Sequence, residues 1–175
     1  MLGLTYKSTW FMMHRLREAM KPGQITPFGA GGGEVEVDET FIGRKAGVEV
    51  ASGYPKHKQA VASLVERNGR VRSFYMPKMG GDDLRDIMVR HISRDAHLKT
   101  DESALYTTTG KEFASHETVN HSQEEYVRGT ASTNTVEGVF SIFKRGMIGV
   151  YQHCGEQHLQ RYLAEFDFRY SNRAA

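Results

Sequence analysis

Residues 58–76 read KQAVASLVERNGRVRSFYM, two apolar-rich runs on either side of Asn68-Gly69. Both turn residues tolerate positive φ, so the pair is the strongest short-range signal for a tight hairpin, and residues 58–67 and 70–76 are expected to pair antiparallel. Upstream, residues 34–42 (EVEVDETFI) alternate with period two. Val35 and Val37 fall on one side and Glu36 and Asp38 on the other, so Asp38 leaves the strand opposite its valines. Gly43 ends that strand.

Further upstream, PGQITPFGAGGG at 22–33 combines prolines and glycines and reads as a loop or linker at a domain edge. Before it, Trp10, Met13, His14, Arg17 and Met20 recur at helical spacing, with Ser8 or Thr9 as the cap and Lys21-Pro22-Gly23 as the stop. This helix serves either packing or the end of a DNA-binding module. Downstream, Gly80-Gly81-Asp82 offers a turn with an Asp cap. Leu84, Ile87, Met88, His91 and Ile92 then mark one face of a helix ending near Arg94. A strand over Ala96–Thr100 delivers Asp101 at its end, followed by a short helix over Ser103–Thr109, a stop at Gly110 and a strand around Glu117–Asn120. From Asn134 onward Val136, Val139, Phe140, Phe143, Met147 and Ile148 form a helical stripe. A last helix over Glu156–Ser171 carries Leu159, Tyr162, Leu163, Phe166 and Tyr170. The expected class is α/β: a central five-stranded mixed sheet, its first three strands antiparallel, flanked by helices. The expected division is an N-terminal helix with linker (1–33) and a main domain (34–175).

Composition narrows the function. The 175 residues are 39% hydrophobic and 25% charged with a net charge of +2, which fits one globular domain and excludes a polycationic tail. Nucleic-acid binding would have to come from local clusters such as Arg44-Lys45, Lys56-His57-Lys58 and Lys144-Arg145. The single cysteine, Cys154, makes no internal disulfide, and no apolar run approaches the ~18 residues of a membrane span, so the cytoplasm is expected. There is no Cys-x-x-Cys, and spacings such as His116 to His121 and His153 to His158 are loose for zinc.

Three acids remain as candidates: Asp38, Asp101 and Glu137. Phosphodiester transfer needs charge stabilisation at the attacking and leaving oxygens, which two divalent ions ~3.5–4 Å apart can supply. Mg²⁺ takes hard oxygen ligands and keeps several waters, so carboxylates from distant strands suffice. Asn134, Glu137, Ser141 and Lys144 are spaced i, i+3, i+7 and i+10 and share one helix face. Such a face can serve a metal and a phosphate together, or simply meet water. The basic residues beyond Glu137 and the lack of an aromatic sugar-binding motif argue against a carboxylate-pair glycosidase.

GEVEVDETFIGRK, LKTDES, VNHSQEEYVRG and TNTVEGVFSIFKRGMIGVYQH, followed by HLQRYLAEFDFRYSNR, resemble the catalytic domain of a bacterial insertion-sequence transposase of the DDE type. The resemblance runs from about Leu2 to Arg173. It implies a ribonuclease H-like, retroviral-integrase fold, metal-dependent hydrolysis at the ends of a DNA element, and strand transfer into target DNA. It also implies Mg²⁺ or Mn²⁺, as two ions, held by Asp38, Asp101 and Glu137, with Asn134 as the alternative or helper at the third position. Lys144 would contact a DNA phosphate, assisted by Arg145, with Lys45 as a further DNA contact. Double-stranded DNA is the implied partner, a homo-oligomer the implied assembly and the nucleoid the implied place of work. Relatives tend to carry His where this chain has Ser132, and Gly where it has Arg44. They usually begin with a zinc ribbon and a helix-turn-helix. The opening residues 4–10 resemble the end of that module, so the expectation is a truncated copy or part of a longer product. A catalytically silent DNA-binding remnant and a structure-selective nuclease are the competing readings.

Overall fold

The computed structural model describes residues 3–23, 26–50, 55–67, 69–119 and 133–173. Asn68, Asn120, His121 and Ser132, with most of the VNHSQEEYVRG motif, lie outside the described residues.

The elements in chain order are α1 (Tyr6–Ala19), β1 (Glu34–Ile42), β2 (Gln59–Glu66), β3 (Val71–Met76), α2 (Gly81–His91), β4 (His97–Asp101), β5 (Ser115–Val119), α3 (Asn134–Gly146) and α4 (Leu159–Ser171). β1, β2 and β3 pair antiparallel, and β4 pairs parallel to both β1 and β5. The resulting five-stranded mixed sheet has the order β3-β2-β1-β4-β5. Chain order therefore does not carry over into the sheet. The first strand stands in the middle, because the hairpin folds outward on one side and the crossover through α2 returns β4 to the other.

Period two sorts each strand between two apolar layers. Val35, Val37, Ala60, Ala62 and Leu64 face Leu84 and Met88 of α2, together with Phe28, Tyr106 and Phe113. On the opposite face Val61 packs with Phe143, Met147, Leu159 and Leu163, and Val65 with Val136, Val139 and Phe140. Helices thus cover both faces. The glycine-rich stretch contributes to the first layer: Phe28 is fully buried, and Gly29 adopts φ +69 where a Cβ would come within 2.5 Å of the Ala96 Cβ. Only glycine fits that backbone and that gap.

α1 lies along α4. Arg17 donates to Glu165 at 2.8 Å in a buried pair, and its guanidinium lies 4.1 Å from the Tyr162 ring centre.

Several local expectations are corrected. Thr5, not Ser8 or Thr9, caps α1, its hydroxyl accepting the Ser8 N–H at 3.2 Å. Gly80 rather than Asp82 precedes α2 and makes no side-chain cap, and α2 ends at His91 because the backbone turns extended at Ile92. The helix expected over Ser103–Thr109 is two short 3₁₀ turns, Ala104–Tyr106 and Thr109–Glu112, with Gly110 inside the second. The last strand begins earlier, at Ser115, to pair with His97. Beyond α3 the chain widens into a π-helical turn at Met147–Tyr151. That turn rotates Ile148 out of the apolar stripe, leaving it 72% exposed. Glu156–His158 form a 3₁₀ turn leading into α4.

Candidate active site

Sheet register brings the two aspartates to one place. Glu34, Val35 and Glu36 of β1 pair with His97, Leu98 and Lys99 of β4. The same offset carried two residues further sets Asp38, in the middle of β1, beside Asp101 at the end of β4, just past the point where the β1–β4 ladder stops. α3 crosses the face from which Asp38 projects, its Val136, Val139 and Phe140 seated on β2 and β3 residues. Glu137 then faces the same cleft as the two aspartates.

Asp38, Glu39, Thr40, Asp101, Glu137, Phe140, Ser141 and Lys144 line an open cleft of about 390 Å³. Asp38, Asp101 and Glu137, spread over 99 residues of chain, therefore face one space with Glu39 and Lys144. Asn134, the alternative to Glu137, is exposed in the first turn of α3 and is not among the described residues lining the cleft.

Each acid is oriented by a hydrogen bond. The Glu39 N–H donates to Asp38 Oδ1 at 2.7 Å and the Ser103 N–H to Asp101 Oδ1 at 3.0 Å. The Thr133 hydroxyl donates to Glu137 Oε1 at 3.1 Å. Burial pushes the Asp38 carboxyl up to about 8. The negative charges of Glu39, Asp101 and Glu137 add to the rise, while the Glu39 N–H opposes it. Burial likewise raises Glu39 to about 7, against the hydrogen bond donated by the Tyr106 hydroxyl. The Tyr106 hydroxyl is itself driven well above its ordinary value by burial and by Glu39.

Such crowding of acids in a half-buried cleft is unfavourable without a cation, and the oxygen-only donor set suits a hard divalent ion. Among the described residues no three His, Cys, Asp or Glu side chains are already gathered closely enough to hold a metal. The acids line a cleft rather than a closed cage. That fits an ion that keeps waters and shares its coordination with a substrate phosphate.

The other basic candidates lie elsewhere. Arg145 follows Lys144 in sequence but, one helical step round α3, lines a separate groove with Ile142, Val150, Phe166 and Arg169. Lys45 donates to the Pro77 carbonyl at 2.9 Å, tying its loop to the end of β3. Neither lines the acidic cleft.

One cleft residue and its buried partner escaped the sequence analysis. Glu39 follows Asp38 and, by strict alternation, belongs to the opposite face, yet it lines the cleft and meets Tyr106. Tyr106 sits in the segment expected to be an ordinary helix. The adjacency of the acids was the one available signal.

The fold and the cleft together define an α/β domain whose acids converge beside a lysine. Residues 31–171 match the family of the ISXO2-like transposase domain, most of the chain and every strand of the sheet. The chain belongs to that family, and with it to the insertion-sequence transposases. A comparison with curated proteins returned no match. Among the described residues no helix is long and apolar enough to cross a membrane.

Proposed function

We propose that this chain is the catalytic domain of a DDE transposase with a ribonuclease H-like fold, its catalytic unit beginning at residue 34. Asp38, Asp101 and Glu137 would hold Mg²⁺ or Mn²⁺, as two ions, in the cleft they line. When bound, the ions would stabilise charge on the attacking and leaving oxygens, first in hydrolysis at the element ends and then in strand transfer to target DNA. The fold assignment is supported by the central β1, flanked by antiparallel β2 and parallel β4, with helices on both faces.

The chain's own residues supply position and charge. Asp38 and Asp101 present their carboxylates to the cleft from adjacent strands, each held by one backbone N–H. Thr133 orients Glu137 above them. Lys144, two turns further along the same helix face, meets a phosphate of double-stranded DNA entering the cleft. Assembly of two or more copies on DNA follows from the need to hold two element ends together, and places the working protein at the nucleoid.

The observation that carries this reading is the convergence of Asp38, Asp101 and Glu137 on one cleft. It is tested by incubating supercoiled plasmid, and labelled duplex with a free 3′ hydroxyl, with Mn²⁺ and either the wild-type chain or Asp38→Asn. Nicking and joining by the wild type alone support the proposal. Equal background from both proteins leaves a silent DNA-binding domain, and cleavage of branched DNA without joining indicates a structure-selective nuclease.

A further inference from the structure

Glu36 is fully buried although its side chain is a carboxylate, and its partners come from the first turn of α3 and from Arg67. Its Oε2 accepts the backbone N–H groups of Thr135 and Val136 at 2.9 and 3.0 Å, and its Oε1 accepts the Thr135 hydroxyl at 2.8 Å. The Arg67 guanidinium supplies the counter-charge, 3.3 Å from Oε1. Meanwhile Thr133, which occupies the N-cap position of α3, makes no side-chain cap; its hydroxyl is turned to Glu137.

We propose that Glu36 is a positioning residue for the acidic cleft, fixing α3 to β1 so that Glu137 stands over Asp38 and Asp101. The inference rests on the metal-dependent reading above. A helix N-terminus presents N–H groups and a partial positive charge that an anion satisfies. A local Ser or Asp cap would meet that need while leaving the helix able to slide and rotate over the sheet. A carboxylate from the central strand meets it and also locks the helix in place. Glu36 and Asp38 are two residues apart and project to the same face. One short stretch of β1 therefore carries a cleft acid and the anchor of the helix that brings another. Stability alone does not call for this arrangement. Burying a carboxylate costs free energy that a well-packed apolar residue of similar size would avoid.

The test compares Glu36→Gln, Thr135→Val and, as a control, Leu163→Ala, which opens a cavity in the apolar layer between the sheet and α4. Glutamine keeps the shape and one acceptor but removes the charge. Three quantities are read on the full chain: Mn²⁺ affinity from the free-ion paramagnetic resonance signal, plasmid nicking, and amide hydrogen exchange at Thr135 and Val136. Glu36→Gln is expected to fold, to bind Mn²⁺ roughly 10–100-fold more weakly and to lower kcat more than it raises KM for DNA. Its Thr135 and Val136 amides should exchange about tenfold faster or more, as loss of a charge-assisted bond requires. Thr135→Val, losing only the hydroxyl contact, should fall between it and the wild type. Leu163→Ala should lose thermal stability while keeping wild-type Mn²⁺ affinity.

Unchanged exchange at Thr135 and Val136 in Glu36→Gln overturns the anchor. Unchanged Mn²⁺ affinity with faster exchange, or an equal loss of affinity in Leu163→Ala, overturns the positioning role. If the wild type itself neither binds Mn²⁺ nor nicks, the proposed chemistry falls and the positioning role falls with it. The exchange data then show separately whether Glu36 anchors α3.

Discussion

Replacing Asp38 by Asn removes a carboxyl that the fold holds far above its ordinary range, so the variant should be more stable than the wild type in alkaline, metal-free buffer. Burial, then the charges of Glu39, Asp101 and Glu137, move Asp38 from 3.8 to about 8. Between those values the folded protein keeps a proton that the unfolded chain has released, so stability falls as pH rises from about 4 to about 8 and then levels. Four units at ~1.4 kcal/mol each set a ceiling of roughly 6 kcal/mol. The cleft is open to water, which screens the charges and leaves about 2 kcal/mol. In a chain of this length that corresponds to roughly 4–8 °C in Tm. Glu39, raised to about 7, slopes both curves downward over its own range, so the difference between them isolates Asp38. The assay is circular-dichroism melting in EDTA from pH 4 to 9, with the gap absent at pH 4 and widest above pH 8. Excess Mn²⁺ should then stabilise the wild type more than the variant, because a ligand of the folded state contributes by mass action. Parallel curves in EDTA would refute the desolvated, crowded carboxylate, and an equal Mn²⁺ response would refute its role as a ligand.

Other substitutions address other parts of the structure. Arg17→Ala strands Glu165, which then keeps the Tyr151 hydroxyl at 2.6 Å and a distant Arg169 at 3.6 Å. Loss of roughly 3–5 kcal/mol is expected, seen as a lower urea midpoint and faster proteolysis within α1. Gly29→Ala forces a Cβ to 2.5 Å from Ala96 at positive φ, and should cost roughly 1–3 kcal/mol in urea unfolding. Lys144→Ala should weaken binding to duplexes of any sequence and reduce the slope of log K against log salt by about 1, measured by fluorescence anisotropy. An unchanged slope would remove the phosphate contact.

Much of the fold was legible because its signals are local. Asn68-Gly69 between two apolar runs fixes a hairpin without reference to the rest of the chain, and residues 59–66 and 71–76 do pair antiparallel. The 3.6-residue stripe of Val136, Val139, Phe140 and Phe143 marks α3 for the same reason. Signals failed where tertiary contacts outweighed propensity. Ser103–Thr109 is expected to form a short helix, yet Tyr106 is drawn under the sheet towards Glu39, and the segment closes as separate 3₁₀ turns. Ile148 fits the stripe on paper, but the π turn after Gly146 changes the angle per residue and carries it to the surface.

The site divides along the same line. Asp38 was legible as a strand-borne acid and Asp101 as an acid at a strand end, but their adjacency depends on a parallel register that no local pattern encodes. Lys144 and Arg145 look like one basic pair in sequence, whereas one helical step separates the cleft from the neighbouring groove. Glu36 is the sharpest case. Period two places it on the polar side of β1 with Asp38, where a lone strand would offer it to water. Only the arrival of α3, 99 residues later, turns that position into the interior and makes the carboxylate the helix's cap. A polar position on a central strand therefore carries two meanings, solvent or helix anchor. Which one applies is decided by the element that later covers the face, as the Thr135 and Val136 amides decide it here.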